Sequence, residues 1–162
     1  HTDSQTTTVF IGGFIILFLL TGLTYALMVL QANGIILLNL SSTDNLTGLL
    51  NRNGFQEHLT KHMKKHSNEH CVCIALDIDD FKFINDLFGH STGDNALCIL
   101  ADTIRSSFPK NSILCRNGGD EFCIILKNCT CKDAKAQIEA FTDMPRSFIA
   151  SNQTQSFNIS VG

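Results

Sequence analysis

The fold is decided by residues 113–126, ILCRNGGDEFCIIL, in which two apolar runs flank a short polar segment. Apolar runs of this length are typical of buried strands. Asn117, Gly118 and Gly119 tolerate the positive φ that a tight hairpin turn demands, so the segment predicts a β-hairpin. Asp120 would lie at its rigid tip, with Glu121 beside it.

A second apolar run, CVCIALDID at residues 71–79, ends in two acids and predicts a strand buried on both faces. Its end would bring the carboxylate of Asp77 close to that of Asp120. Oxygen ligands of this kind suit Mg²⁺, which one or two carboxylates typically hold together with substrate phosphates. The residues alone therefore favour metal-dependent phosphoryl or nucleotidyl chemistry, with inert turns and caps as the alternative.

Helical patterns surround these strands. Phe55, Leu59 and Met63 recur every four residues and predict an amphipathic helix with these side chains inward. The predicted elements are a helix at residues 53–66, a short helix at 80–88, a turn at 89–93, a second amphipathic helix with Leu97, Leu100, Thr103, Ile104 and Phe108 inward, a helix at 131–148, and a strand through Phe157, Ile159 and Val161. The opening of the short helix would offer free backbone N–H groups and Lys82 to a phosphate chain.

The N-terminal part is strongly apolar. Residues 9–30, VFIGGFIILFLLTGLTYALMVL, carry no charge, and as a helix they would be about 33 Å long, enough to cross a hydrocarbon core of about 30 Å. A secretory signal is disfavoured because no Lys or Arg precedes the run. Basic residues follow it instead, beginning with Arg52, which predicts a cytoplasmic C-terminal part. We therefore expect an extracytoplasmic stub at 1–8, a single transmembrane helix at 9–30 in the inner (cytoplasmic) membrane, a juxtamembrane linker at 31–43 and one domain from 44 to 162.

The chain has seven cysteines, an odd number scattered through apolar runs, which suits a reducing compartment. Two CxC pairs, Cys71 with Cys73 and Cys129 with Cys131, would be one way to build a metal site. Their spacing differs from the usual CxxC, so packed or idle thiols are the favoured interpretation.

A stripe of His58, His62 and His66 follows one side of the helix predicted at 53–66. The spacing would suit a metal ion or a pH sensor. Lysines and glutamates surround the stripe, so a solvated face is favoured.

Three segments carry a family resemblance: DNLTGLLNR at 44–52, DIDDFKFINDLFGHSTGD at 77–94 and RNGGDEF at 116–122. In order and spacing they resemble the GGDEF-domain diguanylate cyclases. The resemblance implies an α/β (α+β) fold, a mixed sheet flanked by helices like that of nucleotidyl cyclases and polymerase palms. It also implies a homodimer through the GGDEF domains, in which the 3′-hydroxyl of each bound GTP attacks the α-phosphate of the other, releasing cyclic di-GMP and two pyrophosphates. No nucleic-acid partner is expected.

The resemblance assigns a metal site by position. Mg²⁺ or Mn²⁺ would be bound by Asp77, the backbone carbonyl of Ile78, Asp120 and Glu121. Either Asp120 or Glu121 would assist deprotonation of the attacking hydroxyl.

The resemblance also assigns the nucleotide contacts. Asn85 and Asp94 would bind the guanine edge, and GTP would be preferred over ATP because the acceptor oxygens of Asp94 match the N1–H and N2–H₂ donors that adenine lacks. The other contacts would be Phe81 and Lys82 to the β- and γ-phosphates and Gly118 and Gly119 as points of close backbone approach. Taken alone, Asn85 and Asp94 would be read as caps or turn residues. Arg116 is either substrate-facing or part of a structural ion pair.

Two departures from the family pattern qualify the expected activity. Residues 109–112, PKNS, stand where many relatives carry an RxxD product-binding motif, so feedback inhibition at that position is not expected. The family domain also continues past the final strand with a phosphate-gripping Lys and Arg, so the chain as given is expected to be poorly active. The two functional hypotheses are a membrane-anchored diguanylate cyclase and a catalytically inactive GGDEF module that binds GTP or a protein partner.

Overall fold

The computed structural model describes residues 20–31 and 41–162, and the chain divides into one compact unit up to Leu40 and another from Ser41 to Gly162. In the first unit, residues 20–31 form helix α1. The predicted stub at 1–8, part of the predicted span at 9–19 and most of the predicted linker, 32–40, lie outside the described residues. Within the described ranges no helix is both long and apolar enough to cross a membrane. The predicted transmembrane helix therefore stays a prediction.

The second unit is built on a four-stranded sheet in the order β2-β3-β1-β6. Its strands are β1 (Cys71–Ile78), β2 (Ile113–Gly118), β3 (Glu121–Lys127) and β6 (Ile159–Val161). All three ladders are antiparallel, so the mixed sheet that we expected is antiparallel between its named strands. A single parallel bridge joins Leu50 to Cys115 at the β2 edge, where the backbone of Leu50 bonds to Leu114 and Arg116.

Strand β1 is buried on one face only. Ile74, Leu76 and Ile78 are almost fully buried and belong to the main core, whereas Cys73 and Ala75 on the opposite face are exposed. The prediction of a strand buried on both faces is therefore wrong for the described residues. The run looked continuously apolar because Cys and Ala are small residues that tolerate either environment.

The four helices of this unit are α2 (Arg52–Lys65), α3 (Phe81–Phe88), α4 (His90–Ser107) and α5 (Cys131–Thr142). Asn51 caps α2 by accepting a hydrogen bond from the backbone N–H of Gly54. Gly54 is the buried residue of this helix, and a Cβ there would lie 2.0 Å from the carbonyl oxygen of Ser42. The inward face predicted for α2 is only partly correct, because Met63 is 47% exposed.

The turn predicted at residues 89–93 is wrong beyond its first residue. Gly89, with φ of +85°, alone connects α3 to α4, and helix α4 already begins at His90. The buried side of α4 comprises Gly93, Ala96, Leu97, Leu100, Ala101 and Ile104. Thr103, predicted inward, is half-buried and donates its hydroxyl to the carbonyl of Ile99.

The helix predicted at 131–148 is too long. Helix α5 ends at Thr142, and β4 (Ser147–Ala150) pairs with β5 (Gln153–Ser156) in a separate two-stranded sheet. Pro145 explains the break, because proline disfavours helical backbone at the residue before it and lacks an N–H. The buried Arg146 then donates to the carbonyls of Phe141 and Met144 near the end of α5.

Candidate active site

Four acids, Asp77, Asp79, Asp120 and Glu121, lie near one another at one end of the sheet. Leu76 of β1 pairs with Phe122 of β3, which places Asp77 next to the beginning of β3. Burial, and then the negative charges of Asp120, Glu121 and Asp79, raise the pKa of Asp77. Asp77 therefore lies close enough to the hairpin acids for their negative charges to oppose its ionisation.

A divalent cation bound beside Asp77 would offset the negative charges of these carboxylates. No three His, Cys, Asp or Glu side chains among residues 20–31 and 41–162 are placed to hold a metal ion by themselves. Mg²⁺ is commonly held by one or two carboxylates, with waters and substrate phosphates completing its six oxygen ligands. The acids at this end of the sheet fit a cation that binds together with a nucleotide.

The hairpin places Asp120 at the tip of a glycine turn. Gly118 pairs with Glu121, so residues 119 and 120 form the tip, and the register shifts between Arg116 and Gly118. Gly118 has a φ of +144° and Gly119 a φ of +54°, with open space where a Cβ would stand, so backbone conformation rather than crowding requires these glycines. Asn117 donates its side-chain amide to Glu121 at 3.2 Å.

Arg116 holds this tip in place. Its Nε and Nη2 donate to the carbonyl oxygen of Gly119 at 2.9 and 2.7 Å, and its Nη1 lies 3.1 Å from Oδ1 of Asp44. Of the two interpretations left open by the sequence, the structure shows the ion pair. Arg116 thereby connects the hairpin to the first residues of the domain.

Asp44 is itself held by Thr47, whose backbone N–H and hydroxyl donate to Oδ1 at 2.9 and 2.6 Å. Burial opposes ionisation of Asp44, but the hydrogen bonds from Thr47 and Arg116 outweigh it and lower its pKa. We assigned no role to these two residues from the sequence. The Asp-x-x-Thr spacing of Asp44 and Thr47 is typical of a turn closed by a side-chain carboxylate. This spacing could have predicted their contact.

Four of the predicted nucleotide contacts lie on the two helices that meet at Gly89, the α3–α4 corner: Phe81 and Lys82 begin α3, Asn85 lies near its end, and Asp94 lies in α4. The other two, Gly118 and Gly119, lie in the hairpin instead. Phe81 and Asn85 are half-buried, whereas Lys82 and Asp94 are exposed. Helix α3 begins without a side-chain cap, which leaves its first N–H groups available to an anion. Gly93, which the sequence suggested only as part of a turn, packs directly against Asn85.

Asp79 fixes the end of β1 to β6. Its Oδ1 accepts a hydrogen bond from the hydroxyl of Ser160 at 2.6 Å, and its backbone N–H donates to the carbonyl of Asn158. A cavity of about 260 Å³, lined by Asp79, Phe83 and Phe157 among others, lies beside this joint. No pattern in the sequence indicated this cavity.

The histidine stripe is not a uniformly solvated face. His58 is exposed, but the side chain of His62 is only 8% exposed and its ring stacks on that of His66 at 5.0 Å. Glu69 lies 2.6 Å from Nδ1 of His66, and Sγ of Cys71 lies 3.5 Å from Nε2 of His62. The expectation of a solvated stripe is therefore wrong at His62, because the chain folds back over the end of α2.

The thiols are unpaired. None of the seven cysteines forms a disulfide, and the two CxC pairs each combine a half-buried with an exposed residue. The interpretation of these pairs as packed or idle thiols stays a prediction. Sγ of Cys73 lies 3.6 Å from Sγ of Cys123 on the neighbouring strand.

A protein-family model matches the part of the chain that contains these residues. The model of the GGDEF domain, described as "Diguanylate cyclase, GGDEF domain", matches residues 41–162, which include the hairpin, the acids and the α3–α4 corner. The chain belongs to the GGDEF domain family.

Individual relatives agree with this assignment. The probable diguanylate cyclase DgcJ of Escherichia coli K12 is 42% identical over 90 residues, which cover 54% of this chain and 18% of DgcJ. The cyclic di-GMP phosphodiesterase PdeR of the same organism is 40% identical over 90 residues, covering 55% of this chain and 14% of PdeR. The chain thus spans about a fifth or less of these relatives.

Among solved structures, diguanylate cyclase SiaD of Pseudomonas aeruginosa, in complex with its activator SiaC, superposes with a TM-score of 0.71 at 30% identity. The match covers 85% of this chain and 54% of the SiaD chain. The α/β arrangement with an antiparallel sheet is therefore the fold of a GGDEF cyclase.

Proposed function

We propose that this chain supplies the catalytic domain of a membrane-anchored diguanylate cyclase, which condenses two GTP into cyclic di-GMP and two pyrophosphates. The observation that carries the proposal is the meeting of Asp77 with Asp120 and Glu121 at one end of the sheet. Family membership and the relatives named diguanylate cyclases support the same reaction.

In this proposal Asp77, Asp120 and Glu121, with the backbone carbonyl of Ile78, would hold Mg²⁺ or Mn²⁺ together with the phosphates of the bound nucleotide. The bound cation would neutralise phosphate charge and favour ionisation of the attacking hydroxyl. Asp120 or Glu121 accepts the proton of that hydroxyl. The hydrogen bonds from Arg116 to Gly119 keep the tip, and with it Asp120, in one position during the reaction.

The α3–α4 corner binds the nucleotide. Asn85 and Asp94 read the guanine edge, since their side chains offer the acceptors that guanine's N1–H and N2–H₂ groups require. Phe81 and Lys82 contact the β- and γ-phosphates at the uncapped beginning of α3. The glycines of the hairpin, Gly118 and Gly119, let the nucleotide approach the backbone.

Two copies of the domain are required, because each holds one GTP and the product joins two GMP units after both pyrophosphates have left. The apolar residues 9–30 would anchor the protein in the inner membrane as a single span, with the GGDEF domain in the cytoplasm. This anchor would keep the two domains at high local concentration.

The second candidate function is a catalytically inactive GGDEF module that binds GTP or a regulatory partner. It is favoured by the hydrogen bond that already engages Glu121 with Asn117. A relative named as a phosphodiesterase, PdeR, also matches this chain, so the match by itself does not distinguish the two functions.

The deciding experiment incubates the full-length protein with GTP and Mg²⁺ and detects cyclic di-GMP by mass spectrometry. We expect product from the parent protein and at least a hundredfold less from its Asp120→Asn variant, since electrostatic groups at a reacting centre commonly contribute about that factor. Unfolding of the variant should match the parent because Asp120 lies at a turn. Asp143→Asn, an exposed acid at the end of α5, is the matched control and should retain activity.

Cyclic di-GMP formed equally by the Asp120→Asn variant would contradict the metal assignment. A folded parent protein that binds GTP without forming product would favour the inactive module.

A further inference from the structure

Helices α3 and α4 meet at an unusually short joint. A single residue, Gly89, separates the end of α3 at Phe88 from the start of α4 at His90. Asn85 precedes this joint by four residues and Gly93 follows it by four, so each lies about one helical turn from the corner. This placement brings Asn85 and Gly93 face to face inside the corner.

The contact between them leaves no room for a side chain at position 93. A Cβ on Gly93 would lie 2.1 Å from Oδ1 and 2.9 Å from Cγ of Asn85, and 3.3 Å from Cε2 of Phe81. Distances below 3.0 Å require a neighbouring atom to move. Both atoms that would have to move belong to the amide of Asn85.

Other features restrict where that amide can go. The backbone carbonyl of Asn85 accepts the N–H of Gly89, and the N–H of Gly93 points to the carbonyl of Gly89, so both residues are fixed to the joint. Phe81 stands one turn before Asn85 on α3 and also packs against Gly93. The most direct relief of a clash is therefore rotation of the Asn85 amide away from α4.

We infer that Gly93 is a positioning residue for guanine recognition: its missing side chain sets the position of the Asn85 amide beside Asp94. This inference rests on the proposed function, because it takes Asn85 and Asp94 as the residues that read the base. The conformational freedom of glycine is not the reason for its presence, since α4 is helical at this position and accepts any L residue there. The close approach to Asn85 is the reason.

A cycle of four forms of the full chain tests this inference: the parent, Gly93→Ala, Asn85→Ala and the double variant. Affinities for GTP and for ATP are measured with Mg²⁺ by calorimetry. We expect Gly93→Ala to weaken GTP binding by about tenfold or more, as loss of a hydrogen bond to the base would, with little effect on ATP. In the Asn85→Ala background the same change should have almost no further effect on GTP affinity.

Unfolding of the same four forms gives a readout that does not need nucleotide. In the parent background Gly93→Ala should increase the unfolding equilibrium constant about tenfold, as overpacking does. With Asn85 truncated, the clashing atoms are gone and alanine's higher helix propensity should make the change neutral or stabilising. We therefore expect Gly93→Ala to destabilise the protein when residue 85 is Asn, but not when residue 85 is Ala.

Two other glycines provide matched controls. Gly54→Ala creates a similar clash, 2.0 Å from a Ser42 backbone oxygen, and should destabilise the chain equally in both backgrounds without changing the preference for GTP over ATP. Gly22→Ala places its Cβ in open space and should be tolerated.

The inference would be overturned if Gly93→Ala had the GTP affinity and stability of the parent. It would also be overturned if the effects of Gly93→Ala and Asn85→Ala on GTP affinity and stability simply added in the double variant. If no form binds GTP, the proposed function fails. The unfolding cycle would then still decide whether Gly93 positions Asn85.

Discussion

Asp44 and Arg116 are 72 residues apart in the sequence, yet they form an ion pair that determines where the hairpin lies. The two side chains are only 23% and 13% exposed, so solvent screens their attraction less than at a surface. Pattern-based reasoning identified both segments as family motifs but could not pair these residues, because hydrophobic periodicity carries no information on partners between polar side chains. The closeness of Asp77 and Asp120 was easier to predict, because Asp77 ends one apolar run and Asp120 lies in the turn between two others.

The Asp44→Asn substitution should destabilise the domain at neutral pH by about 1 to 2 kcal/mol, because it removes the charge that Arg116 pairs with. The pKa of Asp44 in the folded protein lies below its ordinary value of 3.8, so its ionisation favours folding above that pH. This contribution is lost as the pH falls through the lowered pKa. Urea unfolding over a pH series should therefore show parent and variant converging as the pH falls below 3.8.

An equal difference between the two proteins at every pH would show that the Asp44 charge is not the cause. Asp86→Asn, which changes an exposed acid on α3, is the control and should leave stability nearly unchanged.

The hairpin is the element that the sequence predicted best. Its glycines, its flanking apolar runs and its acids all pointed to one structure, and β2 and β3 have that structure. The end of α5 was predicted poorly because the chain turns at Pro145 and then buries Arg146, a residue type that is normally exposed. The α3–α4 corner was missed for a related reason: glycines usually indicate a turn, whereas Gly93 lies inside a helix.

Arg116→Lys should loosen the hairpin tip. Lysine keeps the positive charge near Asp44 but cannot reproduce the fork that bonds to the carbonyl of Gly119 while contacting Asp44. We expect a loss of about 1 to 2 kcal/mol in the free energy of unfolding and a lower rate of cyclic di-GMP formation with little change in GTP affinity.

Thermal unfolding and steady-state kinetics measure these two effects. Arg52→Lys, at the exposed start of α2, is the matched control. A variant whose rate and stability equal those of the parent would show that the Gly119 contacts do not position Asp120.

At the scale of the domain, Arg146 joins the helical layer to the small second sheet. Its guanidinium lies 4.4 Å from the centre of the Phe141 ring, and its backbone carbonyl accepts the N–H of Phe157. Burial lowers the pKa of Arg146, and backbone carbonyls rather than a carboxylate are the partners seen in the described residues. Arg146 therefore stabilises the fold by donating hydrogen bonds to these backbone carbonyls.

Arg146→Ala should remove the hydrogen bonds from the guanidinium to these carbonyls and open a cavity beside Phe141, which we expect to cost roughly 2 to 4 kcal/mol. Denaturant unfolding gives the change directly. Arg146→Lys, which keeps a donor but loses the planar contact with the ring, should show an intermediate loss. The prediction fails if Arg146→Ala unfolds at the same denaturant concentration as the parent.

The bridge from Leu50 to the outer strand has a consequence for how copies of this protein can associate. A strand at the border of a sheet is normally open to pairing with another chain, which leads to fibres as easily as to dimers. Here the backbone of Leu50 already occupies the N–H of Arg116 and the carbonyl of Leu114 on that border. A second molecule therefore cannot extend the sheet through these two backbone groups, which hinders strand-to-strand polymerisation at this border.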